Sequence, residues 1–227
     1  MGTYLITGAT SGIGQAVADR LADRGDRLIL AGRSPQRLEA AVARLPGSAA
    51  LIVDLERPAA IADSVGADIG PLDGLVHSAA IAILGTTEQT DAATWARTMA
   101  VNVQAPAELT RLLLPSLRAA RGTVVFVNST AGINANAGWA AYAASKFALR
   151  ALADALRAEE RPYGVRVTTV SPSRTATPMQ REVRRQEGGD YTPEVYIDPD
   201  SVAAAVVTAL TATPDAQISD ITIQRAR

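Results

Sequence analysis

A glycine-rich string near the start of the chain constrains the fold more than any other feature. Its sequence is Gly8-Ala9-Thr10-Ser11-Gly12-Ile13-Gly14, and it stands between a strand-like run at residues 4–7 and an amphipathic helix-like segment at 13–24. Glycine permits a tight turn, and the helix that follows offers free N–H groups and the positive end of its dipole. Strand, turn and helix in this order predict a βαβ unit whose turn can cradle a pyrophosphate.

The same alternation continues through the rest of the chain. Further strand-like runs lie at residues 28–31, 50–53, 74–76, 123–128, 165–170 and 220–223, and helix-like stretches lie at 35–44, 58–65, 93–120, 141–160 and 200–212. Strands and helices in alternation predict a parallel sheet covered on both sides. Because no repeat or linker interrupts residues 1–227, we predict one α/β domain: a doubly wound, Rossmann-type, seven-stranded parallel sheet flanked by helices on both faces.

Residues 177–199 interrupt this alternation of strands and helices. The segment is polar and contains Gly188, Gly189 and three prolines. Long excursions in α/β domains often carry function, so we predict a lid or substrate loop here. A surface loop without function is the alternative.

The composition removes several classes of function. The chain has no cysteine and one histidine, so disulfides, thiol chemistry and a cysteine- or histidine-rich metal site are not expected. The formal net charge is −1 and the basic residues form no long block, so neither nucleic acid nor a membrane surface is a predicted partner. No apolar stretch approaches the ~20 residues of a membrane span and the first residues resemble no leader, so we expect a cytoplasmic protein.

The end of the second predicted strand indicates which dinucleotide would fit. An NAD site places a carboxylate there to bind the ribose hydroxyls. This chain has Gly32-Arg33-Ser34 instead, and a guanidinium can pair with a 2′-phosphate that a carboxylate would repel. The glycine string also lacks the Gly-Lys-Ser/Thr ending of a P-loop, which disfavours ATP or GTP hydrolysis. We therefore predict NADP(H) as the cofactor, with NAD(H) as the less favoured alternative.

Tyr142 and Lys146 form a candidate acid–base pair. They lie four residues apart at the start of a helix-like segment, which places them on one face. A free phenol has a pKa near 10, and a neighbouring ammonium stabilises its phenolate. Lys146 is the only lysine among 22 basic residues, and arginine has a different reach and hydrogen-bond geometry. We predict that the Lys146 ammonium lowers the pKa of Tyr142 toward the working range of a general acid or base.

Taken together, these residues resemble the short-chain dehydrogenase/reductase family, in its short, single-domain and NADP-preferring branch. The resemblance runs nearly end to end. Residues 7–14 resemble the family's cofactor motif, and Tyr142 with Lys146 resembles its active-site pair. Ser129, thirteen residues before Tyr142, falls at the family's catalytic serine, and Asn102 falls at the asparagine that holds a proton-relay water.

The resemblance implies hydride transfer between nicotinamide and a carbonyl or alcohol. Tyr142 would exchange the proton, Ser129 would stabilise charge on the substrate oxygen, and Lys146 would also bond the nicotinamide ribose. The predicted cofactor contacts come from the glycine string, the ends of the second to fourth strands, the catalytic pair and the segment that closes over nicotinamide. They are Gly8, Thr10, Ser11, Gly12, Ile13, Gly14, Arg33, Ser34, Asp54, Leu55, Ser78, Ala79, Ala80, Tyr142, Lys146, Pro172, Thr175 and Thr177.

The chain departs from the family pattern in two places. The family has Asn-Asn-Ala-Gly after the fourth strand, and this chain has His77-Ser78-Ala79-Ala80. Ala80 adds a methyl group where the backbone approaches the cofactor, and Ser173 replaces the glycine that usually follows the proline. Both departures concern cofactor affinity more than reaction class. For His77 itself, a hydrogen-bonded structural histidine is favoured over a cofactor contact.

Two other functions stay open from the sequence. A non-catalytic, dinucleotide-binding regulator would keep the cofactor site, and an assembly protein would keep the fold for dimerisation. The resemblance implies a homodimer or homotetramer built through residues 93–120 and 141–160. The substrate is predicted to be a small, uncharged and moderately hydrophobic carbonyl or alcohol bound near residues 131–139 and under 177–199. The apolar and aromatic side chains expected around it are Ile133, Trp139, Met179 and Tyr191.

Overall fold

The fold is a seven-stranded sheet with helices on both faces, as the alternation of elements predicts. The computed structural model describes residues 1–66 and 69–226. The strands are β1 Thr3–Thr7, β2 Arg27–Gly32, β3 Ala49–Ile52, β4 Gly74–His77, β5 Thr123–Val127, β6 Arg166–Pro172 and β7 Asp220–Ile223. The helices are α1 Gly12–Asp23, α2 Pro35–Arg44, α3 Ile61–Ser64, α4 Ala92–Met99, α5 Ala105–Ala120, α6 Ala140–Glu160, α7 Pro178–Gln186 and α8 Pro199–Leu210.

Every strand pairs in parallel with its neighbours, in the order β3-β2-β1-β4-β5-β6-β7. The chain therefore winds outward in one direction from β1 to β3 and in the other from β4 to β7. The carboxyl ends of β1 and β4 lie side by side where the direction reverses. Crevices at such switch points are the usual ligand sites of open α/β sheets, so the topology places the site before any side chain is considered.

Two apolar cores sandwich the sheet, because successive side chains of a strand point to opposite faces. In β1, Tyr4 and Ile6 belong to the core beneath α1, α2 and α8, whereas Leu5 belongs to the core beneath α5 and α6. Strand β5 is buried along its whole length. The near-continuous apolar sequence of the central strands follows from this double burial.

Two segments differ from their predicted form. Residues 93–120 are not a single α-helix: α4 and α5 are joined by a π-helical turn, Ala100–Gln104. Pro106 has no N–H to donate to the carbonyl of Asn102, which removes one α-helical bond at this place. Residues 177–199 are not an irregular loop, because they contain helix α7 and a 3₁₀ turn, Pro193–Val195.

Helix α7 forms despite its polar sequence because its first turn is capped and ion pairs stabilise its exposed side. Thr177 caps the first turn by accepting a hydrogen bond from the backbone N–H of Gln180, and Pro178 occupies the first helical position. Ion pairs at i,i+3 spacing, such as Glu182 with Arg185, line its exposed side. Part of the predicted excursion is therefore regular helix.

No helix in the described part of the chain combines the length and the apolar character needed to cross a membrane. Nor do residues 1–66 and 69–226 contain a cluster of three or more histidine, cysteine or acidic side chains suited to a metal ion.

Candidate active site

The glycine string forms a turn that only glycine could make at two positions. Gly8 has a φ of 70°, and a Cβ there would lie 3.0 Å from the backbone of Ala79. At Gly14 a Cβ would lie 2.5 Å from the carbonyl oxygen of Gly8, which is closer than atoms can approach. Ser11 begins α1 without a side-chain cap, so the N–H groups of the first turn keep the capacity to bind an anion.

Two cavities flank this turn along the carboxyl edge of the sheet. The first, here called the reaction cavity, has a volume of about 590 Å³ and contains Ser129, Tyr142 and Lys146 in its wall. The second, the adenosine cavity, has about 470 Å³ and contains Arg33 and Asp54. Ala80 lines both. An elongated cleft with a glycine turn and a helix N-terminus at its middle fits a dinucleotide whose pyrophosphate lies at that turn.

Most of the predicted cofactor residues meet in this cleft. Those in the wall of the adenosine cavity are Gly8, Thr10, Arg33, Ser34, Asp54, Leu55, Ala79 and Ala80. Those in the wall of the reaction cavity are Ile13, Ser78, Ala80, Tyr142, Lys146, Pro172, Thr175 and Thr177. Ser11, Gly12 and Gly14 shape the turn between them and line neither cavity.

Tyr142 and Lys146 come from the first two turns of α6, and Ser129 follows β5. Lys146 is only 2 % exposed, and its Nζ donates a hydrogen bond to the carbonyl oxygen of Val127 at 3.0 Å. The same Nζ lies 5.8 Å from the centre of the Tyr142 ring. The rings of Trp139 and Tyr142 pack edge to face, with their centres 5.7 Å apart. The end of β5 and the start of α6 therefore bring these three catalytic candidates together.

The protonation of this pair corrects one prediction from the sequence. Burial raises the pKa of Tyr142 to about 12, and the neighbouring Ser129 side chain opposes this only in part. Burial also lowers the pKa of Lys146 to about 8. The expected lowering of the Tyr142 pKa is thus wrong for the protein alone, because removal of the phenolate from water outweighs attraction to an ammonium that is bonded elsewhere.

Asn102 lies in the π-helical turn, buried behind the reaction cavity. Its side chain accepts a hydrogen bond from the N–H of Ile81 and donates to the carbonyl of Ile81, both at 2.9 Å, and it also donates to Ser145. It therefore fixes the loop after β4 to α6. The side chain is engaged by protein, so any water held here would bind the Asn102 carbonyl, which lacks an N–H donor at position 106.

The departure after β4 is accommodated by Thr7. Its Oγ1 accepts hydrogen bonds from the backbone N–H groups of Ser78 and Ala79, at 3.1 and 3.2 Å. His77 is buried, bonds Thr110 through Nε2 at 2.8 Å and stacks on Phe126. Burial lowers its pKa to about 3, so His77 is neutral at physiological pH, as a structural histidine should be. The loop is held without the family's two asparagines.

Charged side chains surround the adenosine cavity. Arg33 is 67 % exposed and donates to Glu56 at 2.6 Å, and Arg97 of α4 donates to the same carboxylate at 2.8 and 3.0 Å. Arg37, one turn after Arg33, also lines the cavity. The second strand ends without an acid, as its sequence shows, but the loop after β3 supplies one.

Helix α7 covers the reaction cavity and is held on both sides. Gln186 accepts a hydrogen bond from the N–H of Leu84 at 2.8 Å and donates to the carbonyl of Ala82 at 3.1 Å. Glu187 forms a two-pronged ion pair with Arg174, whose guanidinium lies over the Trp139 ring. These contacts tie both the loop after β4 and the segment after β6 to the end of α7.

The substrate side of the reaction cavity is more polar than the sequence led us to expect. Of the four apolar and aromatic residues predicted there, Trp139 and Met179 line the cavity, whereas Ile133 and Tyr191 do not. Polar side chains make up much of the remaining wall. They are Asn134, Asn136, Arg174, Gln180, Gln224 and Arg225.

The residues that the sequence interpretation missed are brought in by the tertiary fold. Arg37 could have been found, since it follows Arg33 by one helical turn. Glu56 and Arg97 are 41 residues apart, and no local pattern connects them. Gln180 and Gln186 belong to a helix that was taken for a loop.

Comparisons with known proteins identify the family to which the chain belongs. Residues 3–188 match the family described as short chain dehydrogenase. An uncharacterised oxidoreductase of Staphylococcus epidermidis is 30 % identical over 225 residues, covering 97 % of this chain and 95 % of the relative. A D-threitol dehydrogenase of Mycolicibacterium smegmatis is 32 % identical over 216 residues, covering 89 % and 83 %.

Solved structures show the same architecture. A short chain dehydrogenase/reductase family protein superposes with a TM-score of 0.86 at 30 % identity, covering 98 % of this chain and 95 % of that one. A short-chain dehydrogenase of Sphingobium yanoikuyae, solved with NADPH, has a TM-score of 0.83 at 30 % identity, covering 98 % and 87 %. The chain belongs to the short-chain dehydrogenase/reductase family. It is an enzyme of the oxidoreductase class, which acts on alcohols and carbonyls.

Proposed function

We propose that the protein is an NADP(H)-dependent oxidoreductase that interconverts a carbonyl and an alcohol, with Tyr142 as the general acid and base. The observation that carries this proposal is the convergence of Tyr142, Ser129 and Lys146 on one cavity, beside the glycine turn. When bound, nicotinamide would supply or accept the hydride. Three side chains of this protein would then manage the proton and the charge on the substrate oxygen.

Tyr142 is suited to donate the proton in the reductive direction. Since burial raises its pKa to about 12, Tyr142 keeps its proton at neutral pH, and its transfer to a carbonyl oxygen that is gaining negative charge requires stabilisation of the phenolate left behind. Ser129 lies beside the Tyr142 hydroxyl, so its Oγ can donate a second hydrogen bond to the same oxygen.

Lys146 stabilises the phenolate that remains when the proton leaves. With a pKa of about 8 it is mostly charged at pH 7, and its Nζ lies 5.8 Å from the centre of the Tyr142 ring, in a buried site where water screens a charge little. The reductive rate should therefore decline as pH rises through about 8, where Lys146 loses its proton.

The preference for NADP(H) is supported by the adenosine cavity. Arg33, Ser34 and Arg37 line it and would contact a 2′-phosphate through charge and hydrogen bonds. The Sphingobium relative binds NADPH. We also propose, from the family, a cytoplasmic homodimer or homotetramer, which light scattering would test.

The test compares wild-type protein with Tyr142→Phe in NADPH oxidation against a panel of aldehydes and ketones. We expect the variant to lose about 10²- to 10⁴-fold in kcat, the usual contribution of a general acid, with little change in NADPH affinity. Tyr163→Phe is the matched control, because Tyr163 lies beyond the other end of α6 and is exposed. The proposal fails if Tyr142→Phe retains wild-type turnover. It also fails if wild type binds NADPH but reduces nothing, since that outcome favours the non-catalytic regulator.

A further inference from the structure

Glu56 lies between two arginines at the rim of the adenosine cavity. Its Oε1 accepts from Arg33 Nη1 at 2.6 Å and from Arg97 Nη2 at 2.8 Å, and its Oε2 accepts from Arg97 Nε at 3.0 Å. Arg97 therefore holds the carboxylate with a two-pronged fork, whereas Arg33 makes one contact. The three residues come from the end of β2, the loop after β3 and helix α4.

The Glu56 carboxylate would act in opposite ways on Arg33 and on a phosphate bound to Arg33. It attracts Arg33, but it would repel a phosphate bound to Arg33, since like charges at this range disfavour each other. Glu56 is ionised at neutral pH, because hydrogen bonding and attraction from Arg97, with a smaller effect of Arg33, lower its pKa. A site for a 2′-phosphate with an ionised acid beside it needs a second cation to offset that acid.

We propose that Arg97 sets the preference for 2′-phosphorylated adenosine by shielding the phosphate from Glu56. Arg97 is a positioning residue, because it does not line the cavity itself and acts through the carboxylate. The inference rests on the proposed function, since it presumes that Arg33 binds a 2′-phosphate. The inference adds that cofactor specificity at the adenosine cavity depends on the balance of three charges, those of Arg33, Glu56 and Arg97, which lie far apart in the sequence.

Substitutions at the two partners should have opposite effects. In Arg97→Gln, Glu56 keeps its charge but loses the two hydrogen bonds from Arg97. The carboxylate then neutralises Arg33 and repels the phosphate. In Glu56→Gln, the repulsion disappears and Arg33 is free to pair with the phosphate. In the double variant, loss of Arg97 should matter little, because the charge that it offsets is gone.

The probes are 2′,5′-ADP and 5′-AMP, which differ only in the 2′-phosphate, and the measurement is calorimetric titration at low salt. We expect Arg97→Gln to weaken 2′,5′-ADP binding about two- to fivefold and to leave 5′-AMP binding unchanged, the size of one partly exposed charge pair. Glu56→Gln should tighten 2′,5′-ADP binding by a similar factor. The control is Arg44→Gln, which breaks an exposed ion pair with Asp19 at the far end of α2.

The double variant separates this inference from simpler explanations. Adding Arg97→Gln to Glu56→Gln should change 2′,5′-ADP affinity less than twofold. An equal loss in both backgrounds would show that Arg97 attracts the phosphate directly and would overturn the inference. If wild type prefers 2′,5′-ADP but the variants do not differ, the inference fails and the proposed function stands. If wild type shows no preference for 2′,5′-ADP, both the NADP assignment and the inference fall, and turnover with NAD(H) would still report the chemistry.

Discussion

The two ends of the cleft control charge by different physical means. At the reaction cavity, Tyr142 and Lys146 are buried, and burial moves both pKa values away from their usual range. At the adenosine cavity, Arg33 and Arg97 are 67 % and 47 % exposed, and charges are balanced by pairing at the surface. The comparison teaches that burial governs the charges at one end of the cleft and that solvent-exposed ion pairs govern them at the other. The first should depend on pH and the second on salt.

The largest effect we expect is on the pH dependence of stability at the buried end. The folded pKa of Lys146 is about 8 and its usual value is 10.5, so between these values the unfolded chain binds more protons. Stability of the wild type therefore rises with pH across this window, and the cost of the buried ammonium is greatest below about pH 8. Lys146→Met removes that cost.

Denaturant unfolding of wild type and of Lys146→Met from pH 7 to 10.5 measures how the difference in their unfolding free energies depends on pH. Lys146→Met should be more stable than wild type by about 3 kcal/mol at pH 7, from roughly 2.5 pKa units, and the gap should close toward pH 10.5. A gap that stays constant with pH would show that packing, rather than the buried charge, separates the two proteins.

A smaller effect concerns Gln180 of helix α7. Gln180 is buried, and its Nε2 has no hydrogen-bond partner within the described residues. An unpaired buried donor costs about 1–3 kcal/mol, so Gln180→Met, of similar shape, should raise the free energy of unfolding by about 2 kcal/mol without ligand. Gln224→Met is the control, because Gln224 lines the same cavity but is exposed. Equal gains in both variants would mean that apolarity alone stabilises this wall.

The smallest effect is a difference in how the two ends of the cleft respond to ionic strength. Raising sodium chloride from about 0.05 to 0.5 M should reduce the preference for NADP over NAD about fivefold, because exposed charges are screened. The pH midpoint near 8 for turnover should move little, because the buried pair is screened much less. Binding titrations and pH–rate profiles at both salt levels test this. A pH midpoint that moves as strongly as the cofactor preference would abolish the distinction between the ends.

Much of the fold could be predicted because its signals are local. Gly8 and Gly14 permit a turn that a side chain would block, and the apolar alternation along β1 and β5 requires covering on both faces. The spacing of Tyr142 and Lys146 follows from one helical turn. These features need no knowledge of distant residues.

What could not be predicted depends on tertiary neighbours. The pKa of Tyr142 is set by how deeply it is buried, which spacing does not show. Glu56 meets Arg97 only once β3 and α4 are in place. Helix α7 was missed for another reason: its polar sequence lacks an apolar stripe, although Thr177 and Pro178 are ordinary signs of a helix start.

The single lysine has a practical consequence. Apart from the α-amine of the chain, reagents directed at amines can mark only Lys146 in this protein, and Lys146 lies inside the reaction cavity. The rate of acylation at Lys146 would thus report how often the cleft admits solvent. Occupation of the cleft by a ligand would slow that rate, so one mass measurement would reveal binding without any knowledge of the substrate.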